Sequence, residues 1–220
     1  MIWMVGYYFL MVFVQTLTPD IESPAHQLAA NIVMIFWYLI LLILFFPAAR
    51  FGFARGLKGF GLRPRNAVKD LAAAALTLTA VLPLIYGALA AVYWIGKLLN
   101  PDFAIQQHAS LTALSDFPQW WMRAVIVFGA VLIVPLFEEV LFRGFLQSAL
   151  TAQLRKPWIS IGLTSGLFAL MHPYPTHLLP LFILSVGLGY AYEKSGSLLR
   201  PIFMHILFNG INITFTLLGA

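Results

Sequence analysis

The chain has 220 residues, 61% of them hydrophobic and 10% charged, with a mean hydropathy of +0.88, where a soluble domain carries about 25% charged residues; this composition excludes a soluble globule and points to a single integral membrane domain over residues 1–220. There is no cysteine, which excludes disulfides, thiol nucleophiles and Cys-ligated metal. The net charge of +5 is not a nucleic-acid footprint, because six of the 13 Lys and Arg residues crowd into one loop, Arg50 to Lys69.

A helix needs about 20 apolar residues to cross a hydrocarbon core roughly 30 Å thick. On that scale the sequence predicts about seven transmembrane helices in an all-α polytopic bundle, over residues 1–18, 28–49, 67–97, 119–150, 158–172, 177–192 and 199–219. The first is a span rather than a signal peptide, since it has no basic leader and "TLTPDIESP" is a poor small-residue cleavage site. Orientation follows from the basic bias of short loops. Arg50, Arg55, Lys58, Arg63, Arg65 and Lys69 mark loop 50–69 as cytoplasmic, as do Arg155, Lys156, Lys194 and Arg200 for two later loops. The alternate loops carry Asp20, Glu22, Asp102 and Asp116, which leaves the N-terminus inside and puts Trp120 and Trp121 at the outer interface.

The fourth span contains "IVPLFEEVLFRGFL", three ionisable groups in an apolar run. From Trp121 to Leu150 it would extend about 45 Å at 1.5 Å per residue, longer than the bilayer is thick. Pro135 lacks an N–H, so in an α-helix it frees the carbonyl of Val131 and puts a kink one turn before the glutamates. Glu139 and Arg143 stand at i, i+4 in the favourable order and can neutralise each other. Glu138 points about 100° away and has no cation four residues to either side, so it is the spare carboxylate. An intramembrane ionisable residue is a functional candidate; the plainer alternative is a polar network that braces the bundle.

Two further spans bring histidine to apolar depth. "GLFALMHPYP" ends the fifth with His172 a turn after Phe168, and "RPIFMHILFNGIN" sets His205 and Asn209 at i, i+4 on one face of the seventh. Each alone reads as an interhelical hydrogen bond; with a spare glutamate, three spans would deliver polar groups to one water-accessible pocket. Ser165, Gly187 and Gly189 read as packing positions, His177 at most as a residue of the site mouth, and His26 and His108 receive no role.

"EEVLFR" fits Glu-Glu-x-x-x-Arg, "FALMH" fits Phe-x-x-x-His and "HILFN" fits His-x-x-x-Asn, in that order on three apolar helices. The chain thereby resembles the CPBP family, the CAAX proteases and bacteriocin-processing enzymes also called the ABI family. The run "GLGYAYEKSGSLLRPIFMHILFN" adds to the likeness, which covers residues 130–212, so that 120–212 holds the catalytic helices. The resemblance implies an intramembrane, metalloprotease-like endopeptidase of the glutamate type, related to the enzyme that trims prenylated CAAX proteins. It implies that Glu138 and His172 activate water, that His205 and Asn209 form the oxyanion site, and that Glu139 and Arg143 support them, with no metal and no cofactor. Its substrate would be a membrane-associated protein or peptide, lipid-modified ones included, and nucleic acid is not a partner.

The chemistry needs a base for water, an acid for the leaving amine and donors for the oxyanion. A carboxylate in an apolar pocket holds a proton readily, so Glu138 could take one and return it. Two alternatives stay open: a zinc protease using His172, His205 and Glu138, since two His and one Glu suit catalytic zinc although His-Glu-x-x-His is missing, and a non-enzymatic proton or ion translocator or scaffold using the same groups. The cysteine-free background makes topology testable. Lys58→Cys should be labelled by an impermeant maleimide only from the cytoplasmic side and Ala104→Cys only from the outer side; labelling of both from one face would refute the seven-span arrangement.

Overall fold

The computed structural model describes residues 2–20, 23–53, 56–62, 66–106, 114 and 119–218. Glu22, Arg55, Arg63, Arg65, His108 and Asp116, which entered the topology argument or were left without a role, lie outside the described residues. The described chain is an all-helical bundle without strands, built from α1 (Ile2–Leu17), α2 (Pro24–Gly52), α3 (Ala67–Leu99), α4 (Trp120–Leu154), α5 (Pro157–Leu170), α6 (Leu178–Ser195) and α7 (Leu199–Leu217). These coincide with the seven expected spans to within a few residues at each end.

Local chemistry explains the helix ends. Ser23 caps α2 by accepting the His26 N–H at 3.2 Å, with Pro24 as its first residue, and Asn66 caps α3 by accepting the Lys69 N–H at 3.1 Å. Helix α6 stops at Gly196, which takes the left-handed conformation at φ 62° that closes a helix cheaply only for glycine. Ala25–Gly52, Ala67–Leu99 and Trp120–Leu154 are each long and apolar enough to cross a membrane alone. The outer faces of the first two expose Phe36, Ile43, Leu44, Leu76, Leu84 and Trp94, side chains that water would not tolerate in such density. The protein is an integral membrane protein.

Helices α3, α6 and α7 share a core of Ala74, Leu78, Ile85, Leu184, Leu188, Ala191 and Met204. Close approach there depends on Gly187, where an added Cβ would come within 3.0 Å of Met204 and 3.1 Å of Val81, as expected of a packing glycine. Helix α4 runs through the middle, packed on α2, α5, α6 and α7. From the α2 side Tyr38 stacks on Phe137, ring centroids 4.2 Å apart, which backs the turn that carries the glutamates.

Helix α4 is 35 residues, about 52 Å at 1.5 Å per residue. It contains two wider π turns, Gly129–Ile133 and Val140–Gln147, a device often found at functional sites. The first changes the consequence of Pro135. The Val134 N–H reaches back five residues to the Gly129 carbonyl, so the next donor in that register would serve Ala130, and that donor is the one Pro135 lacks. In that register the carbonyl that Pro135 leaves without a donor is that of Ala130, one residue before the Val131 that an α-helical count gives.

The basic loop between α2 and α3 folds back into the bundle. Phe60 is 1% exposed and packs on Phe53 and Phe145; its carbonyl accepts from the Tyr192 hydroxyl at 3.3 Å, and the Leu198 N–H donates to Gly61 at 2.9 Å. Asp70 at the start of α3 ties the same region to the α6–α7 turn through Ser197 at 2.7 Å and Arg200 at 3.1 Å. The Phe60 ring lies against Gly144, where an added Cβ would overlap it. Gly144→Ala should therefore expel the ring and destabilise the folded protein by about 1–3 kcal/mol, the usual cost of overpacking, read as a lower Tm; an unchanged Tm would show that the loop does not dock there.

Candidate active site

Glu138 and Glu139 sit where the short α-helical segment Val134–Glu139 gives way to the second π turn of α4. Both Glu139 and Arg143 are fully buried, and the Arg143 guanidinium donates to Glu139 Oε1 at 2.9 Å, the pair expected from their spacing. The same carboxylate oxygen accepts from His205 Nδ1 on α7 at 2.8 Å. Arg143 turns its other amino group to α6, donating to the Ser185 hydroxyl at 2.6 Å and the Ser185 carbonyl at 3.1 Å. One buried carboxylate thus joins α4, α6 and α7.

Glu138 is set differently. Its side chain is 16% exposed, against none for Glu139, and the Nε2 of His205 lies 3.8 Å from Glu138 Oε2. That separation is too long for a hydrogen bond. Positions 134 and 142, four residues to either side of Glu138, are Val and Phe, and the histidine beside it comes instead from across the bundle.

His172, at the end of α5, has Nδ1 2.8 Å from the Phe168 carbonyl. A carbonyl only accepts, so in the neutral ring the proton is on Nδ1 and Nε2 keeps its lone pair. Phe168 is the hub beneath the two histidines: it is fully buried, with His172 4.8 Å and His205 5.9 Å from its ring centre and the Arg143 guanidinium over its face at 4.9 Å. His177 is half-buried in the turn before α6, and burial together with the neighbouring His172 holds its imidazole below the usual histidine range.

Asn209 lies one turn beyond His205 on α7 and donates its side-chain amide to the Ala130 carbonyl at 2.8 Å. Glu138, Glu139, Arg143, His172 and His205 are brought together around Phe168; Asn209 faces the same helix α4 but a different turn of it. Sequence reading missed Ser185 as the second partner of Arg143, for which "FILSVG" carries no signal beyond a small polar residue in an apolar run. It also missed Gln147, fully buried one turn after Arg143 and donating to the Gly189 carbonyl at 3.0 Å; with Arg143 it forms an i, i+4 polar stripe that was there to be read. His26 accounts for itself locally, with Nδ1 2.8 Å from the Thr18 carbonyl.

The zinc alternative asks His172, His205 and Glu138 to converge on one point. Among the described residues no three His, Asp or Glu side chains form such a group; the bonds of His172 and His205 to Phe168 and Glu139 occupy Nδ1 of each ring and leave Nε2 free.

Residues 119–211 match the family model described as type II CAAX prenyl endopeptidase Rce1-like, the family resemblance that the three motifs carried. Among curated proteins the chain is similar to an uncharacterized 24.3 kDa protein of Escherichia coli, 29% identical over 131 residues, which are 56% of this chain and 59% of that protein. The chain thus spans about three fifths of the relative's length. No solved structure matches.

The two glutamates should respond differently to the same substitution. Glu138→Gln removes a carboxylate that has no short hydrogen bond to lose, so the protein should fold with near-normal Tm. Glu139→Gln leaves Arg143 buried without its counter-charge, which costs about 3–5 kcal/mol, so a clearly lower Tm or yield is expected. Equal losses in the two proteins would contradict the assignment of the spare carboxylate.

Proposed function

We propose that this protein, whose residues 119–211 form an Rce1-like region, is an intramembrane endopeptidase of the glutamate type. It would cleave a peptide bond of a membrane-associated protein or peptide, lipid-modified substrates included. The observation that carries the reading is the unequal treatment of two adjacent carboxylates: Glu139 is bound by Arg143 and His205 at 2.9 and 2.8 Å, whereas Glu138 lies 3.8 Å from His205 with no short bond of its own.

In this reading, water held between Glu138 and the bare Nε2 of His172 gives up a proton as its oxygen attacks the scissile carbonyl carbon. The carbonyl π electrons move onto oxygen, and that oxyanion is met by His205 Nε2 and by the amide hydrogen of Asn209 that does not go to Ala130. Collapse of the tetrahedral intermediate breaks the C–N bond, and Glu138 returns the proton to the departing amine. The oxyanion role requires His205 as imidazolium, donating from Nδ1 to Glu139 and from Nε2 to the substrate; Glu139 is placed to hold that cation. Glu139 and Arg143 would act by support, through His205 and through the register of α4. The basic loop and the N-terminus would face the cytoplasm. A translocator would use the same groups as a relay, but it gives no reason for pairing one carboxylate with Arg143 and His205 and sparing its neighbour.

Cleavage of peptides by the purified protein tests the class, and its metal dependence tests the mechanism. Full activity is expected after prolonged chelation, with no stoichiometric metal in elemental analysis and loss of turnover in Glu138→Gln. Stoichiometric zinc that disappears in His172→Ala and His205→Ala would overturn the carboxylate mechanism in favour of a zinc protease.

A further inference from the structure

We infer that Asn209 is a positioning residue whose amide replaces the backbone donor that Pro135 removes, and that this bond holds the π turn of α4 in the register that presents Glu138 and Glu139 to His205. Three observations meet at one atom. The first π turn sets hydrogen bonds five residues apart, as the Val134 N–H to Gly129 carbonyl bond records. In that register the Ala130 carbonyl would wait for the N–H of residue 135, and residue 135 is proline. The Asn209 side-chain amide arrives from α7 and donates to that same carbonyl at 2.8 Å.

The position of this bond gives it a consequence for the chemistry. Asn209 and His205 are one turn apart on α7, and Ala130 and the glutamates are about two turns apart on α4. The Asn209–Ala130 bond and the His205–Glu139 bond, 2.8 Å each, therefore fix α7 to α4 at two levels. Two such points set both the sliding and the rotation of one helix against the other, where one would leave a pivot. A shift of α4 between an α and a π register turns every later side chain by about 100°, enough to swing Glu138 away from His205. Apolar surroundings, with Ile126 and Ile213 buried beside this turn, offer the carbonyl no other donor of comparable strength.

Turnover as a readout rests on the protease reading above, whereas thermal stability does not, so the two can fail separately. The experiment compares wild type, Pro135→Ala, Asn209→Ala and the double variant, measuring Tm and the kcat and KM of peptide cleavage in each. Alanine at 135 restores a backbone N–H within reach of the Ala130 carbonyl. Asn209→Ala alone should lower Tm by about 4 °C, the effect of one buried carbonyl left without a donor, and reduce kcat by about 10²-fold with KM little changed. In the Pro135→Ala background the same substitution should shift Tm by less than half as much, and kcat should recover about tenfold relative to Asn209→Ala alone. Equal losses of Tm and kcat in both backgrounds would overturn the inference, leaving Asn209 to act on the substrate alone. Coupled Tm values with unchanged kcat in the folded variants would also overturn it, reducing the bond to a structural staple. If wild type cleaves nothing, the protease reading falls, and coupling in Tm then decides whether Asn209 serves Ala130.

Discussion

A carboxylate with no exposure to water needs opposite charge and hydrogen bonds around it, because an uncompensated buried ion costs several kcal/mol. Glu139 meets that requirement with Arg143 from its own helix and His205 from α7, both on Oε1. Arg143 is in turn bound to Ser185 of α6 and lies over the face of Phe168 of α5. The polar contacts that gather α4, α5, α6 and α7 thus radiate from one oxygen atom. Apolar packing brings the helices near each other; this network sets which side chains face inward.

The consequence for function is a division of labour between neighbouring residues. Because Arg143 and His205 both donate to Oε1 of Glu139, Glu138 remains the carboxylate with no such partner, and because Nδ1 of His205 is committed to Glu139, its Nε2 is the atom turned to Glu138 at 3.8 Å. His172 is fixed in the same manner by the Phe168 carbonyl. In each case a supporting bond on one ring nitrogen frees the other in a known direction, which is how protein sites orient histidine generally. The Phe60 plug and the Asp70–Arg200 pair play a quieter part: they close the end of the bundle nearest Gly144, one residue from Arg143.

What was legible in the sequence was whatever acts within one helix. Seven apolar runs mark seven helices, three of them long enough to cross a membrane alone, and an i, i+4 spacing identifies Glu139 with Arg143 and places His205 with Asn209 on one face. Contacts between helices left no such trace. Glu139 and His205 are 66 positions apart, and Arg143 and Ser185 are 42 apart; their meeting depends on helix register, which hydropathy does not encode. The π turns are the clearest case. An α-helical count assigns the effect of Pro135 to Val131, and one extra residue per turn moves it to Ala130, within reach of an asparagine whose role looked purely catalytic. Phe60 was equally hidden, since a buried side chain in a basic loop has no periodicity to betray it.

The central claim is that Glu139, by holding Nδ1 of His205, fixes the direction of its other nitrogen toward Glu138. Nitrogen-15 magnetic resonance of the histidine rings, assigned by comparison with a His205→Gln protein, reads the protonation of each ring nitrogen directly. The account predicts a proton on His205 Nδ1 in the wild-type protein. A neutral His205 with its proton on Nε2 and a bare Nδ1 would contradict it.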